Sequence, residues 1–268
     1  MKKFIGGAMN KISAVILTKN SQRLLKEVLQ ALSKIDEIVI LDNGSEDETL
    51  EIAKNFSNVR IYHHDFIGFG AMKRLGSKLA KNDWILSIDS DEIASKELID
   101  ELLEKELKED FCYSYAVKNY FNHRHIKSCG WYPDRFCGIY YKHNANFDDS
   151  AVHEKIISLS PKPLKVIPLQ GYISHYPYQN TSEFLAKMQK YTTLYAQDFA
   201  GKKQSSPLKA LLHCLWCFFK NYFLQKGFLE GYEGFVIASY NAQSAFWKYI
   251  KLYEANKERN EDSNHQTS

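Results

Sequence analysis

Residues 84–92 are Trp84-Ile85-Leu86-Ser87-Ile88-Asp89-Ser90-Asp91-Glu92, a short apolar run that leads directly into three acids. A short and nearly continuous apolar run is typical of a strand buried inside a parallel sheet. Comparable runs begin near residues 12, 37 and 59, and apolar residues recur at helical spacing between them. This alternation predicts an α/β fold: a Rossmann-like, mostly parallel sheet flanked by helices, with ligands bound beyond the carboxyl ends of the strands.

The rest of the chain departs from this alternation. Ser45 and Glu48 form a capping-box pattern that predicts the start of the second helix. Residues 111–180 are rich in Tyr, His, Pro and Gly, which indicates a mixed, partly antiparallel extension of the sheet. The predicted organisation is a catalytic domain at 9–200, beginning at Met9 after a short lead, a C-terminal helical extension at 201–253 and a disordered tail at 254–268.

The composition excludes several classes of protein. Of the 268 residues, 44% are hydrophobic and 25% are charged, a balance that excludes wholesale disorder. The formal net charge is only +3, so a nucleic-acid partner is not expected, because nucleic-acid-binding proteins usually carry a strong basic patch. The five cysteines are odd in number and scattered, and no secretion signal is recognisable, which predicts reduced thiols and a cytoplasmic location.

Asp89 and Asp91 carry the strongest functional signal. Two carboxylates one residue apart at the end of a strand suit a hard divalent cation that also binds phosphate oxygens. Such a cation neutralises the charge that develops on a departing diphosphate. The alternative is that a D-x-D pattern occurs by chance in a loop, but its position after a predicted parallel strand favours the functional interpretation.

The ends of the first two strands are polar as well. Thr18 and Asn20 follow the first apolar run, and Asp42 follows the second. Three polar strand ends on one edge of a sheet would form a nucleotide slot, in which Asp42 accepts hydrogen bonds from a base or a ribose. The alternative for Asp42 is a purely local role, because Asp-Asn-Gly is a favourable turn sequence.

The pair Gly68 and Gly70 resembles the beginning of a dinucleotide-binding loop. Lys73 stands where the third glycine of that loop is required, so an NAD cofactor is not expected. Lys73 is a further candidate for binding the phosphates of a donor. A solvated basic face of the helix is the alternative explanation for this lysine.

Three segments in order, 16–20, 37–45 and 84–92, resemble the glycosyltransferases of family 2 that have the GT-A fold. Later segments narrow the resemblance to the lipopolysaccharide core β-1,4-glucosyltransferases; they are 130–135, 152–154 and 227–231. The resemblance spans about residues 9–253. The Gln-x-x-Arg-Trp pattern of processive members is absent, so polymer synthesis is not expected.

The resemblance implies roles for individual acids. Asp42 would bind the uridine of the donor, Asp89 the ribose or the metal shell, and Asp91 the Mg²⁺ or Mn²⁺ ion itself. Glu154 stands where the family places the carboxylate that deprotonates the acceptor hydroxyl for in-line attack with inversion. Asp134 and Asp149 are the alternatives for this catalytic base.

The same comparison suggests an acceptor pocket. Trp131, Tyr132 and Arg135 are its candidates, since aromatic faces suit sugars, and His153 would orient Glu154. Trp131, Tyr132 and Arg135 are equally well explained as structural anchors. The triplet 152–154 would then be a strand edge without chemistry.

Residues 208–224 form a strongly apolar segment. Before Asn221 its strongly polar members are Lys209, His213 and Lys220, which fall within about 40° of one another on a helical wheel. The segment is too short and interrupted to span a bilayer, but a narrow basic stripe on an apolar helix suits a membrane interface. Burial against the catalytic domain or a second subunit is the alternative.

The sequence therefore predicts an inverting, metal-dependent glycosyltransferase that moves a hexose, glucose first of all, from a UDP-sugar to the inner core of lipopolysaccharide or lipooligosaccharide. Its expected partners are the UDP-sugar, a lipid-linked oligosaccharide and the inner face of the cytoplasmic membrane. Other acceptors, such as capsule, glycolipid or glycoprotein, stay open. A nucleotidyltransferase is disfavoured because residues 18–21 are not a glycine-rich basic loop, and a non-catalytic nucleotide-sugar-binding protein is disfavoured by the intact acids.

Overall fold

A computed structural model of the chain describes residues 10–148 and 154–265, with side chains up to Arg259. The chain divides into two compact units. The first comprises the chain up to Lys118 together with Asp134–His175, and the second comprises Asn119–Pro133 and the chain from Tyr176 onward. This division differs from the predicted boundary at residue 200, since the helix Thr181–Phe199 packs against the long C-terminal helix.

The first unit alternates strands and helices over its first hundred residues, as predicted. Its elements in this part are β1 (Ile12–Thr18), α1 (Leu25–Ala31), β2 (Glu37–Asp42), α2 (Thr49–Lys54), β3 (Val59–His63), α3 (Phe69–Leu79), β4 (Trp84–Ser87), β5 (Glu92–Ala94) and α4 (Lys96–Glu104). The strands that follow are β6 (Phe111–Phe121), β7 (Arg124–His125, in the second unit), β8 (Asp134–Tyr141), β9 (Ala145–Phe147), β10 (Ile156–Ser158) and β11 (Lys165–His175).

Eight strands in the described part of the first unit form one sheet in the order β3-β2-β1-β4-β8-β6-β11-β5. The first four of these are parallel, whereas β8 runs antiparallel to β4 and β6, and β5 runs antiparallel to β11. The α/β fold class and the antiparallel extension are therefore confirmed. Because β1 lies between β2 and β4, the carboxyl ends of these three strands share one edge of the sheet.

Alternate residues of the parallel strands face two different cores. Ile12, Ala14 and Ile16 belong to the core that α1 and α4 cover, and Val15 belongs to the core that α3 covers. Helix α3 lies close on β1 and β2, since a Cβ atom on Gly76 would collide with the side chains of neighbouring strand residues. This close approach places α3 next to the edge where the strands end.

The predicted capping box is wrong. Helix α2 begins at Thr49, and Glu48 at its N-cap makes no side-chain capping bond. The Ser45 hydroxyl instead donates to Oδ1 of Asp42, and Asp47 accepts a bond from the Thr49 amide at 3.0 Å. The Ser45 oxygen accepts its amide bond from Asn20, at 2.9 Å, instead of from the first turn of α2.

The expectation of five free thiols is wrong for two cysteines. Cys112 on β6 and Cys137 on β8 form a disulfide, with their Cα atoms 6.4 Å apart. The spacing of 25 residues gives no sign of this, because the two residues meet only through the antiparallel pairing of β6 with β8. Cys129, Cys214 and Cys217 are free, as predicted.

The second unit is mainly helical. Helix α5 (Thr181–Phe199) is capped by Asn180 and α6 (Pro207–Phe219) by Ser206; a π-helical turn (Lys220–Leu224) and a 3₁₀ turn (Gly227–Glu230) lead into α7 (Gly231–His265). No helix in the described residues has an apolar stretch long enough to cross a bilayer.

The predicted disordered tail at 254–268 is wrong for residues 254–265, because the helical backbone of α7 continues to His265. The side-chain oxygen of Asn256 accepts a bond from the amide of Gly201 at 2.7 Å, and its side-chain nitrogen donates to the carbonyl of Lys203 at 2.9 Å. Arg259 donates to the carbonyl of Ala200 at 3.3 Å. These bonds tie the helix to the loop that precedes α6, and a sequence pattern does not reveal them.

We expect Glu37→Gln to lower the free energy of unfolding by about 1–3 kcal/mol at neutral pH. The buried Glu37 carboxylate accepts bonds from Ser13 Oγ at 2.6 Å, the Lys81 amide at 2.7 Å and Arg60 at 2.9 Å. Burial opposes ionisation, but these bonds outweigh it, so the pKa of Glu37 lies below its usual value.

Because the pKa of Glu37 is lowered in the folded state, the ionised carboxylate contributes its full stabilisation above the unfolded-state pKa of about 4.3. This stabilisation disappears as the pH falls through the folded-state pKa. Urea unfolding followed from pH 7 to pH 3 would measure it. The parent protein should lose more stability than the Glu37→Gln variant over this interval. Equal losses would show that the carboxylate is not stabilised by its partners.

Candidate active site

The loops after β1, β2 and β4 are joined by hydrogen bonds at the edge of the sheet. The Asn20 amide donates to Ser45 Oγ at 2.9 Å, which links the first two loops. The hydroxyls of Ser21 and Ser90 lie 2.9 Å apart, which links the loop after β1 to the loop after β4. The three polar strand ends that the sequence predicts to meet therefore do meet.

Asp42 is buried and serves the turn that follows β2. Its Oδ1 accepts bonds from the hydroxyls of Thr18 and Ser45, and its Oδ2 accepts bonds from the amides of Gly44 and Ser45. Burial opposes ionisation of Asp42, but these bonds outweigh it and hold its pKa below the usual value. Four bonds occupy the lone pairs of a carboxylate, so the geometry favours the local turn role over direct contact with a base.

Lys73 is the central cation of the site. Its ammonium lies 2.8 Å from Glu154 Oε1 and 3.2 Å from Asp89 Oδ1, and the side chain is only 6% exposed. The alternative of a solvated helix face is therefore wrong for Lys73. Burial disfavours the charged form, but the charges of Asp89 and Glu154 outweigh it and raise the pKa of Lys73 well above its usual value.

Asp91 faces a histidine that the sequence patterns did not identify. Nε2 of His175, at the end of β11, lies 3.6 Å from Oδ2 of Asp91. Burial disfavours the charged imidazole, but the bond and the charge of Asp91 outweigh it and raise the pKa of His175. The register that pairs His175 with Glu92 creates this contact, and only a knowledge of strand pairing would have indicated it.

Glu92, which follows the two predicted metal ligands in the chain, is buried. One of its oxygens accepts the Asp89 amide at 2.9 Å, which fixes the start of the acidic loop. Burial, followed by the charge of Asp89, raises the pKa of Glu92 to about 7. Glu92 therefore acts as a support for the loop that presents Asp89 and Asp91.

Asp91 could hold a divalent ion of the Mg²⁺ type. Within the described ranges, no three His, Cys, Asp or Glu side chains converge as a closed metal-binding set. Such ions, however, usually take one or two carboxylates from the protein and complete their shell with water and substrate phosphates. Asp91, which lies beside His175, could supply a carboxylate to this open kind of site.

The sequence matches the model of glycosyl transferase family 2 over residues 13–160. The chain belongs to this family. The matched range contains Asp42, Lys73, Asp89, Asp91 and Glu154, and His175 lies beyond it. The prediction that the protein is a glycosyltransferase is confirmed.

Two relatives cover nearly the whole glycosyltransferase. An uncharacterized glycosyltransferase of Rickettsia bellii is 29% identical over 91% of this chain and 86% of its own length. The lipopolysaccharide core biosynthesis glycosyltransferase LpsC of Rhizobium meliloti is 25% identical over 91% of this chain and 92% of its own. Among solved structures, TarS 1-349 of S. aureus in complex with UDP-GlcNAc is similar over 94% of this chain and 92% of that one, with 14% identity and a TM-score of 0.44.

The residues predicted to bind or deprotonate the acceptor differ in burial and in hydrogen bonding. Arg135 on β8 bonds Ser114 Oγ and the carbonyls of Ser114 and Leu169, so it ties three neighbouring strands together. Asp134 is exposed at the beginning of β8. His153 and the alternative base Asp149 lie outside the described residues.

Trp131 and Tyr132 belong to the second unit. Trp131 packs in its aromatic core, where its ring stacks on those of Tyr178 and Phe184. Tyr132 is 40% exposed and lines a cavity of about 490 Å³ together with Arg124 and Glu230. The geometry favours the anchor role for Trp131, and Tyr132 stays a candidate for sugar contact.

Proposed function

We propose that this glycosyltransferase moves a hexose, glucose first of all, from a UDP-sugar to the inner core of lipopolysaccharide or lipooligosaccharide, with inversion at the transferred carbon. The observation that carries the proposal is the position of Lys73 between Asp89 and Glu154. One ammonium joins the acidic loop, where a diphosphate would lie, to the carboxylate that would accept the acceptor proton.

The distances from the Lys73 ammonium to Asp89 and Glu154 limit how far apart these two carboxylates can be. Two carboxylate oxygens that both contact one nitrogen are at most about 6 Å apart. A donor diphosphate bound beside Asp89 would therefore have Glu154 within reach of an incoming hydroxyl. In-line attack requires such proximity, and it also requires the base and the leaving group to lie on opposite sides of the transferred carbon.

Lys73 also couples donor binding to Glu154 in this proposal. The ammonium lies 2.8 Å from Glu154 Oε1. A donor diphosphate brings negative charge to the same ammonium and competes for it. Binding of the donor would weaken the pair with Glu154 and so release that carboxylate toward the acceptor hydroxyl only when substrate is present.

A divalent ion would be held by Asp91, which His175 would orient, and Asp89 would face the ribose or the metal shell. When bound, the ion would stabilise negative charge on the leaving diphosphate as a Lewis acid. Thr18 and Asn20 organise the adjoining loops and would border the nucleotide. Asp42 would act through the turn that it stabilises.

The acceptor is proposed from the relative of Rhizobium meliloti, which is described as a lipopolysaccharide core biosynthesis enzyme. A lipid-linked acceptor would place the enzyme at the inner face of the cytoplasmic membrane. A UDP-release assay should show turnover with UDP-glucose, Mn²⁺ and a core oligosaccharide truncated before its first hexose. Mass spectrometry of lipooligosaccharide from a strain that lacks the gene should show the loss of that hexose; an unchanged core would overturn the proposed acceptor.

A further inference from the structure

The segment around α6 combines positive charge with large apolar side chains. Residues 199–229 contain five lysines and no aspartate or glutamate. Those lysines are Lys202, Lys203, Lys209, Lys220 and Lys226, and none of them pairs with an acid among the described side chains. No ion pair among the described side chains of the second unit therefore compensates this local charge.

Helix α6 presents apolar residues to the outside. Its exposed large side chains are Leu208, Leu211, Leu212, Leu215, Trp216 and Phe219, each between 46% and 66% exposed. On a wheel of 100° per residue they fall within one sector, and the buried Ala210 lies on the opposite side. Surface helices usually turn polar residues outward, so this orientation marks an interaction surface.

The apolar surface continues past the end of α6. The ring centroids of Phe219 and Phe223 are 5.4 Å apart, and those of Phe223 and Tyr222 are 5.2 Å apart. The ring centroid of Tyr222 is also 6.4 Å from that of Phe228 and 6.1 Å from that of Phe235. We call these aromatic residues, together with the exposed residues of α6, the apolar face.

We propose that the apolar face docks on a lipid bilayer that carries anionic headgroups, with its leucines and aromatic rings in the interfacial region and the surrounding lysines on the phosphates. Interfacial helices typically combine an apolar face with a lysine-rich border. Trp and Tyr rings also favour the headgroup level of a membrane. The inference adds a contact surface to the proposed function, whose acceptor is lipid-linked, but it requires no transfer step.

Charge distinguishes a bilayer from a second copy of the chain. A symmetric dimer places the same patch against itself, so lysines would face lysines. The segment offers no acid to compensate them. Anionic headgroups provide the complementary charge, and a bilayer also covers the apolar side chains.

Sedimentation with vesicles tests this inference without donor or acceptor. The full chain should bind vesicles of phosphatidylethanolamine with phosphatidylglycerol, and bind vesicles of phosphatidylcholine much more weakly. The double variant Leu212→Gln with Leu215→Gln should bind the anionic vesicles about tenfold or more weakly. Lys202→Gln with Lys220→Gln should weaken binding about fivefold per lysine at low salt, and much less at high salt.

Leu159→Gln is the matched control, because Leu159 is 57% exposed in the first unit and Leu212 and Leu215 are 57% and 59% exposed. It should leave vesicle binding unchanged. Analytical ultracentrifugation of the same proteins tests whether a second copy of the chain covers the apolar face instead. A dimer that the leucine variant converts to monomer, or vesicle binding that the variant leaves unchanged, would overturn the proposal. Vesicle binding by a protein that transfers no sugar would instead reject only the proposed function.

Discussion

Replacing Glu154 by glutamine is expected to lower kcat for sugar transfer by about 10²–10⁴-fold, because the variant loses the carboxylate proposed to take the acceptor proton. Glutamine has nearly the same shape, and its amide oxygen can still accept a bond from Lys73. The fold and the affinity for the donor should therefore be retained. UDP release under saturating donor and acceptor measures kcat, and calorimetric titration with UDP measures donor binding.

Two further results separate catalysis from structure in this experiment. Asp134→Asn should leave kcat within a few-fold of the parent, since Asp134 is exposed at the start of β8 and has no place in the cluster around Lys73. A melting temperature of Glu154→Gln close to that of the parent would exclude a loss of fold. Near-normal turnover of Glu154→Gln, or a large loss in Asp134→Asn, would assign the base elsewhere.

The parallel part of the fold was predictable because its signals are local. The runs at 12–18, 37–42 and 84–87 are buried strands whose apolar character is visible without any partner. Asp89 and Asp91 were selected as candidates in the same way, because the acids directly follow such a strand. The position of each residue along the chain is enough for this kind of inference.

The missed features depend on contacts between distant segments. Burial of Lys73 depends on Glu154 and on the rings of Phe136 and Phe147, all more than 60 residues away in the chain. A helical pattern alone made Lys73 look like a solvated residue. His175 reaches Asp91 only through the antiparallel pairing of β11 with β5.

The hydrogen bonds of Asp42 show a different limit of prediction from the sequence. The turn sequence after β2 was recognised, and both a nucleotide role and a turn role were considered. The choice depended on whether lone pairs of the carboxylate remained available. The hydroxyl of Thr18, from the neighbouring strand, and both polar groups of Ser45 occupy them. Such saturation is a property of the folded arrangement and is not encoded in residue types.

Asp91→Asn is expected to reduce kcat/KM on the order of 10³-fold or more, because a metal ion supplies several kcal/mol of charge stabilisation to a leaving diphosphate. The neutral amide keeps the size of the side chain but removes the charge that would bind the ion. Binding of Mn²⁺ together with UDP, followed by titration calorimetry, should be lost in the same variant. Chelation of divalent ions should reduce turnover of the parent protein to a similar extent.

The control for Asp91 is Asp100→Asn on α4. Asp100 is also paired with a cation, Lys34 at 2.6 Å, and its side chain is 34% exposed against 33% for Asp91. Both substitutions therefore remove the charge of a carboxylate that lies beside a cationic side chain and has nearly the same exposed fraction, and the loss of an exposed ion pair alone has little effect. Asp100→Asn should retain both turnover and Mn²⁺ binding. Equal effects of the two substitutions, or full turnover of the parent protein in a chelator, would contradict the metal role of Asp91.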